Sequence, residues 1–178
     1  MKLGVLFSGG KDSTYAAWLA KKEGHELACL ISILSENKES YMFHTPAINI
    51  TEKQAKLMNT PILFVKTKGE KELELIDLEK AIIKAIKKYG IEGIVTGALK
   101  SVYQESRIGK ICEKLGIKCI NPLWQKNQEQ LLRELIDNNF EVIIVGVFAY
   151  PLDKKWIGRK INNSFIKEVL ELEKKYKI

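Results

Sequence analysis

The chain has 178 residues, 46% of them hydrophobic, and a net charge of +7. That size suits one domain, or one domain with a small appendage, and no apolar run nears the ~20 residues of a membrane helix, so a soluble protein with no membrane partner is expected. Met1-Lys2-Leu3 enters a strand pattern rather than a cleavable leader, which points to the cytoplasm, and the positive excess is not by itself read as a nucleic-acid surface.

The first element is the apolar run Leu3 to Phe7, predicted as a buried strand, and a helical pattern covers Asp12 to Glu23. Between them lies Ser8-Gly9-Gly10-Lys11-Asp12-Ser13, predicted to hold a phosphate. A helix N-terminus directs unpaired N–H groups and the positive end of its dipole at whatever sits above the loop. Gly9 and Gly10 lack a Cβ and let phosphate oxygens approach, Lys11 adds a mobile charge, and Ser8, Ser13 and Thr14 supply hydroxyls. Asp12 has two readings, a ligand for a Mg²⁺ that bridges to phosphate oxygens or a cap of the first helical turn. Neither the Walker spacing nor the dinucleotide fingerprint is present, and a plain glycine turn before a capped helix is the structural alternative.

The second predicted strand, Leu27 to Leu34, ends in Ser35-Glu36-Asn37-Lys38-Glu39-Ser40-Tyr41-Met42-Phe43-His44, a segment without apolar periodicity that reads equally as a surface loop or as part of a site. Thr51-x-x-Gln54 reads as a capping box. The third strand is Ile62 to Val65, followed by a helical stripe of Leu75, Leu78, Ile82, Ala85, Ile86 and Tyr89 that Gly90 ends. After the fourth strand, Gly93 to Thr96, Gly97 either admits a nucleotide to the backbone or only turns the chain. Ser101-x-x-Gln104 is a second capping box, which gives Gln104 a structural role, and Ile108, Ile111, Cys112 and Leu115 keep a core stripe. Tyr103 and Arg107 share one helix side at i, i+4 and can reach one ligand together; alone, Arg107 would pair with Glu105 or another surface acid.

The fifth strand is Lys118 to Ile120, and Pro122-Leu123-Trp124 marks a boundary that splits the chain into 1–121, the domain of the phosphate loop, and 122–178, a small substrate-side subdomain. A helix follows from about Asn127 to Asn138. A sixth strand, Val142 to Val147, leads to Tyr150-Pro151-Leu152-Asp153-Lys154-Lys155-Trp156-Ile157-Gly158-Arg159, where Asp153 and Arg159 are candidates by position and Trp156 reads as a packing residue. The lysine-rich tail beyond Asp153 reads as a solvated helix face rather than an acidic-partner dock. Alternating strands and helices imply an α/β fold with a doubly wound, mostly parallel sheet, whose ligands sit beyond the carboxyl ends of the strands. Cys29, Cys112 and Cys119 are odd in number, have no metal-ligand spacing and fall on strands or a core stripe, so they read as buried, inert thiols.

The loop resembles the SGGxDS loop of the PP-loop ATP pyrophosphatases, with their adenine nucleotide alpha hydrolase-like fold. SGGKDSTYA, SENKESYMFH, GALKSVYQESRIGKICEKLG, NPLW and LDKKWIGR, in this order, resemble the diphthine-ammonia ligase family over nearly the whole chain. That resemblance implies ATP-dependent amidation of diphthine on translation elongation factor 2, with ammonia as co-substrate and AMP and pyrophosphate as products. It implies that Ser8 to Thr14, with Gly97, hold ATP, that Asp12 lies near Mg²⁺, and that Lys11, Asp12 and Arg107 serve the chemistry. It further implies a substrate side of Glu36, Asn37, Ser40, Tyr41, His44, Tyr103, Gln104, Arg107, Trp124, Asp153, Trp156 and Arg159. A homo-oligomer is left open. The chain departs from the family's pattern at Tyr150-Pro151 and reaches Ile178 without a G-E-x-G-E-[FY]-x-T segment, so ATP binding is expected ahead of full ligase activity. A tRNA-modifying PP-loop enzyme and a nucleotide-binding module without turnover are the competing readings.

Overall fold

A computed structural model describes residues 1–37, 50–148 and 150–176. The leading apolar run forms β1 (Lys2–Leu6), in which Leu3 and Val5 are fully buried. With β2 (Glu26–Ser35), β3 (Ile62–Thr67), β4 (Gly93–Val95) and β5 (Lys118–Ile120) it makes a parallel sheet in the order β3-β2-β1-β4-β5. β1 meets β2 at Leu3↔Leu27 and Gly4↔Cys29, with a slip between the two pairs, and meets β4 at Leu3↔Gly93 and Val5↔Val95.

Helices α1 (Lys11–Lys22), α2 (Thr51–Leu57), α3 (Leu73–Tyr89) and α4 (Val102–Lys114) alternate with these strands. The stripe read from the sequence forms the buried face of α3: Leu78, Ala81, Ile82 and Ala85 pack with Ile108, Ile111 and Cys112 of α4 on Cys29, Ile31 and Ile33 of β2. Gly90, at φ +63°, ends α3 in the left-handed conformation that glycine accepts at least cost. Strand side chains alternate between faces, so Leu3 and Val5 leave that cluster, and α1 buries Ala16, Ala17 and Ala20 without residual exposure. Helices on both faces make the sheet doubly wound. The chain lays β1, β2 and β3 outward on one side of β1 and returns to place β4 on the other. The strand order therefore reverses at the carboxyl end of β1, where ligands of open α/β sheets bind.

By packing, the chain divides into two compact units, Met1–Gln125 and Lys126–Ile178. In the second unit, α5 (Gln128–Asp137) is capped by the Asn127 side chain, which accepts the Gln130 N–H at 3.1 Å. Ile161, Phe165 and Ile166, the last two on α6 (Asn163–Tyr176), form a core with Leu132, Ile136, Val142 and Ile144.

Two local expectations need correction. Val142 to Val147 is not a sixth strand of the parallel sheet: among the described residues it makes a short antiparallel pairing, Ile143 with Lys160, closed by Ile144 N–H to Arg159 and Ile161 N–H to Val142. Val142 and Ile144 face the small core while Ile143 and Val145 are 50% and 70% exposed, so the run is one-sided and lacks the two buried faces of a central strand. Thr51-x-x-Gln54 is not a capping box either. Ile50 is the residue before the helix, Thr51 is fully buried in the first turn, and the Gln54 amide reaches a different segment of the chain.

Candidate functional site

The loop after β1 is anchored from both sides before any ligand is considered. Phe7 donates its N–H to Ile31 at 2.9 Å, and the buried Ser32 hydroxyl donates to the Phe7 carbonyl at 2.6 Å. A lone hydroxyl in the apolar run of β2 needs an acceptor, and here it fixes the base of the loop. Gly9 then turns at φ +75°, and Gly10, at φ −79° and ψ 169°, precedes α1 with no side-chain cap. By contrast, Ser101 caps α4 by accepting the Gln104 N–H at 3.3 Å. The first-turn N–H groups of Lys11, Asp12 and Ser13 have no intrahelical acceptor, and the Thr14 N–H is the first to close, onto Gly10 at 3.1 Å.

The loop hydroxyls are wired inward. Ser13, only 6% exposed, accepts the Ser8 N–H and donates to the Gly10 carbonyl, and Thr14 donates to that same carbonyl at 2.9 Å. Their first task is therefore to shape the turn, where the sequence reading had taken them as hydroxyls for a phosphate. Lys11 Nζ holds both Asp12 carboxylate oxygens at 2.8 Å. Asp12 lies inside the first turn instead of before it, so the capping alternative for Asp12 fails, and Lys11 neutralises its charge beside the loop.

Gly97 faces this same turn. A Cβ there would stand 2.7 Å from the Ser13 nitrogen and 2.8 Å from the Asp12 carbonyl carbon, so its missing side chain admits the backbone of α1 rather than only a nucleotide. Gly10 differs from both neighbouring cases. A Cβ on it would meet nothing nearer than Ser8 Oγ at 3.5 Å, so its outward face is open.

A second group forms where α4 approaches the β3–α3 turn. Tyr103 OH and Arg107 Nη2 converge on one oxygen, Glu72 Oε1, at 3.1 and 3.0 Å, and the guanidinium lies 5.1 Å from the Tyr103 ring centre. Arg107 thus finds its acid across the fold and not in Glu105. Hydrogen bonding to Glu72 raises the Arg107 pKa, and the Arg107 hydrogen bond lowers that of Glu72. Burial, helped by the Glu72 hydrogen bond, raises the Tyr103 pKa. Glu72 sits at φ +67°, a strained conformation for a residue with a Cβ. At the end of β2, Glu36 donates its N–H to Thr67 at 3.0 Å and Asn37 Nδ2 donates to Gly69 at 3.1 Å, which ties this strand end to the turn carrying Glu72. Ser40, Tyr41 and His44 lie outside the described residues. Trp124, half-buried, closes a turn by donating its N–H to Asn121 at 3.1 Å.

In the second unit, Asp153 Oδ1 accepts the Lys155 N–H at 2.9 Å and starts a 3-10 turn over Lys154–Trp156. Trp156 packs edge-on against Phe165 at 5.4 Å, as the packing reading required, and Arg159 stacks 4.4 Å over the indole. Both Arg159 terminal nitrogens bind Glu168, at 2.8 and 2.7 Å, which raises the arginine's pKa and lowers the glutamate's. Asp153, Trp156 and Arg159 therefore form their own cluster.

Cys29 is buried and its thiol is pushed up to about 12, chiefly by desolvation. Cys112 is buried too. Cys119 is half-buried, a departure from the expectation of three buried thiols; hydrogen bonds with Cys112 and Asn121 lower its pKa, and the bond between the two thiols, with burial, raises that of Cys112. Among the described residues, no group of three or more His, Cys, Asp or Glu is placed to hold a metal, and no helix is long and apolar enough to cross a membrane.

Residues 1–119 match the family model described as the diphthamide synthase N-terminal domain, and residues 127–178 match the diphthamide synthase C-terminal domain. A diphthine--ammonia ligase of Rattus norvegicus is 32% identical over 99% of this chain and 73% of its own length, and that of Homo sapiens is 31% identical with the same coverage. The diphthine--ammonia ligase of Schizosaccharomyces pombe is 28% identical over the full chain, which spans 32% of that longer relative. Among solved structures, the U34-tRNA thiolase NcsA from Methanococcus maripaludis superposes with a TM-score of 0.50 at 18% identity, covering 98% of this chain and 66% of that one. At that identity the likeness is one of fold.

Proposed function

We propose, for a chain that belongs to the diphthamide synthase family, an ATP-dependent amidation in which diphthine on translation elongation factor 2 becomes diphthamide. The observation that carries the nucleotide part is the uncapped start of α1 at the point where the strand order reverses, with an open face at Gly10 and a lysine in the first turn. Such a helix start favours an anion through both its N–H groups and its dipole. The protein part rests on family membership, and the setting is the cytoplasm.

A carboxylate is a poor acyl donor, so the diphthine carboxylate attacks the α-phosphorus of ATP, the α–β bridging bond breaks, and pyrophosphate departs. Ammonia then attacks the acyl carbon of the adenylate; AMP leaves with the electron pair and the amide nitrogen loses a proton. The first-turn N–H groups of α1 and Lys11 stabilise charge on the departing pyrophosphate, where fixed donors act without reorganising. Asp12 suits a magnesium ion, since such an ion takes one or two carboxylates together with water and substrate phosphates rather than a full protein cage; when bound it supplies charge neutralisation on those phosphates. Arg107 and Tyr103 take the substrate carboxylate or the α-phosphate, with Glu36, Asn37, Gln104 and Trp124 along the substrate side; the family resemblance alone adds Ser40, Tyr41 and His44 to the substrate residues. Within the second unit, Asp153, Trp156 and Arg159 are a substrate-contacting group of their own on the family resemblance.

The test is the fate of the nucleotide. Incubation with ATP, ammonium and diphthine-bearing elongation factor should give AMP and pyrophosphate in step with amide formation; ADP and orthophosphate would overturn the reaction. ATP binding with no turnover would reduce the chain to a nucleotide-binding module. AMP formation driven by tRNA instead would favour the tRNA-modifying reading, for which the buried, proton-retaining Cys29 and Cys112 offer little and Cys119 is the thiol to test.

A further inference from the structure

α2 makes a contact that the proposed chemistry does not use. Gln54 Nε2 donates to the carbonyl of Gly9 at 3.0 Å, joining residues 45 positions apart. A Cβ on Gly9 would collide with the Gln54 side-chain oxygen and stand 2.9 Å from Thr51 Cγ2, so the first turns of α2 press directly on the loop. Gln54 Oε1 is buried without a hydrogen-bond partner among the described residues. Reversing the amide would set that oxygen against the Gly9 carbonyl, so the cost of an unsatisfied acceptor is accepted to keep the donor where it is.

The peptide joining Gly9 and Gly10 is a planar trans unit, so its C=O and its N–H point in opposite directions. Holding the Gly9 carbonyl on the α2 side therefore turns the Gly10 N–H the other way, to the exposed side of the loop, where it donates a long hydrogen bond of 3.4 Å to Ser8 Oγ that an incoming anion can replace. Two consecutive glycines have little steric preference between the two orientations of that peptide, and the choice has to be imposed from outside.

We propose that Gln54 is the positioning residue of the phosphate loop: it fixes the Gly9–Gly10 peptide so that the Gly10 N–H faces the pyrophosphate portion of the nucleotide, and so sets affinity for that anion. This rests on the reading that the loop holds ATP phosphates.

The test uses the full chain and calorimetric titration with ATP, inorganic pyrophosphate and adenosine. Gln54→Met keeps the length of the side chain and removes the donor; ATP and pyrophosphate should each bind about fivefold to tenfold more weakly, the usual worth of one hydrogen bond, while adenosine affinity stays within about twofold. Gln54→Glu, isosteric and unable to donate at neutral pH, should weaken both anions at least as much and serves if the methionine variant does not fold. Folded variants that bind pyrophosphate like the native chain, whatever their melting temperature, overturn the proposal and reduce Gln54 to a tie between α2 and the loop. An equal loss for adenosine overturns it too, because that marks general disruption. Native protein that binds neither ATP nor pyrophosphate overturns the loop reading itself, and Gln54 with it.

Discussion

Gly9 and Gly10 are adjacent and chemically identical, yet their substitution should have opposite consequences. Gly9 holds φ +75°, and a Cβ there would meet Gln54 and Thr51, the latter at 2.9 Å. The left-handed backbone costs a residue with a Cβ roughly 1–2 kcal/mol, and forcing an atom into a packed contact adds about 1–3 kcal/mol. Gly9→Ala should thus destabilise the fold by about 2–5 kcal/mol, or lower the melting temperature by roughly 5–13 °C for a chain of this size. Gly10, at φ −79° and ψ 169°, has a backbone any residue adopts, and its Cβ direction is open apart from Ser8 Oγ at 3.5 Å. Gly10→Val should leave the melting temperature within about 2 °C, because surface changes without a packing penalty move stability by only about 0.5 kcal/mol. Its two methyl groups would stand where phosphate oxygens must approach the N–H groups, removing several charge-assisted hydrogen bonds and weakening ATP binding by roughly a hundredfold or more. Scanning calorimetry and titration calorimetry on the two variants separate these effects. A Gly10→Val protein with native ATP affinity would refute the loop assignment, and a Gly9→Ala protein with native melting would refute the conformational reasoning.

Arg107→Ala should lower turnover on the elongation factor by about tenfold or more, the worth of a hydrogen bond to an ionised group, and shift melting by under about 3 °C because its ion pair with Glu72 is solvent-exposed; near-native turnover in steady-state kinetics would return Arg107 to the scaffold. Glu72 has a pKa lowered first by the Arg107 hydrogen bond, so its contribution to stability is present above its unfolded pKa and is lost as pH falls through the lower folded value. The melting difference between the native chain and Glu72→Gln should therefore be small and constant near neutrality and shrink below about pH 4, and a difference that grows on acidification would contradict the pairing. Alkylation at mildly alkaline pH followed by mass spectrometry should label Cys119 before Cys29 and Cys112, since Cys119 is half-buried with a lowered pKa and Cys29 is pushed up to about 12; labelling of Cys29 first would mean that its strand opens readily.

The elements of the sheet were legible because each rests on local signals: continuous apolar runs for the parallel strands, a helical stripe ended by Gly90 for α3, and Ser101 as a cap for α4. Gln54 was not legible, because its pattern with Thr51 satisfies a local rule while its actual partner, Gly9, lies 45 residues away. Glu72 gave no signal either. Nothing in a lysine- and glutamate-rich turn says which acid will meet Arg107, and that pairing follows only from the packing of α3 beside α4. Val142 to Val147 misled for the reverse reason: β-branched residues advertise a strand, but whether its second face is covered depends on the rest of the fold. Ser32 was available and overlooked, a hydroxyl inside an apolar run that had to find a buried acceptor.

Placing β1 between β2 and β4 has a consequence for the order of assembly. The parallel neighbour β2 follows β1 after the single helix α1, but β4 is supplied much later, when Leu3 pairs with Gly93 and Gly97 comes to rest against the first turn of α1. Contacts so far apart in sequence form only after the entropy of closing the intervening chain has been met. During synthesis, therefore, a chain that has not yet reached β4 carries the whole Ser8–Thr14 string but not the wall behind it, and the diglycine remains a solvated turn. Nucleotide affinity should arrive late and in one step, so that ATP acts on the nascent protein as a reward for long-range closure and not as a template for early folding.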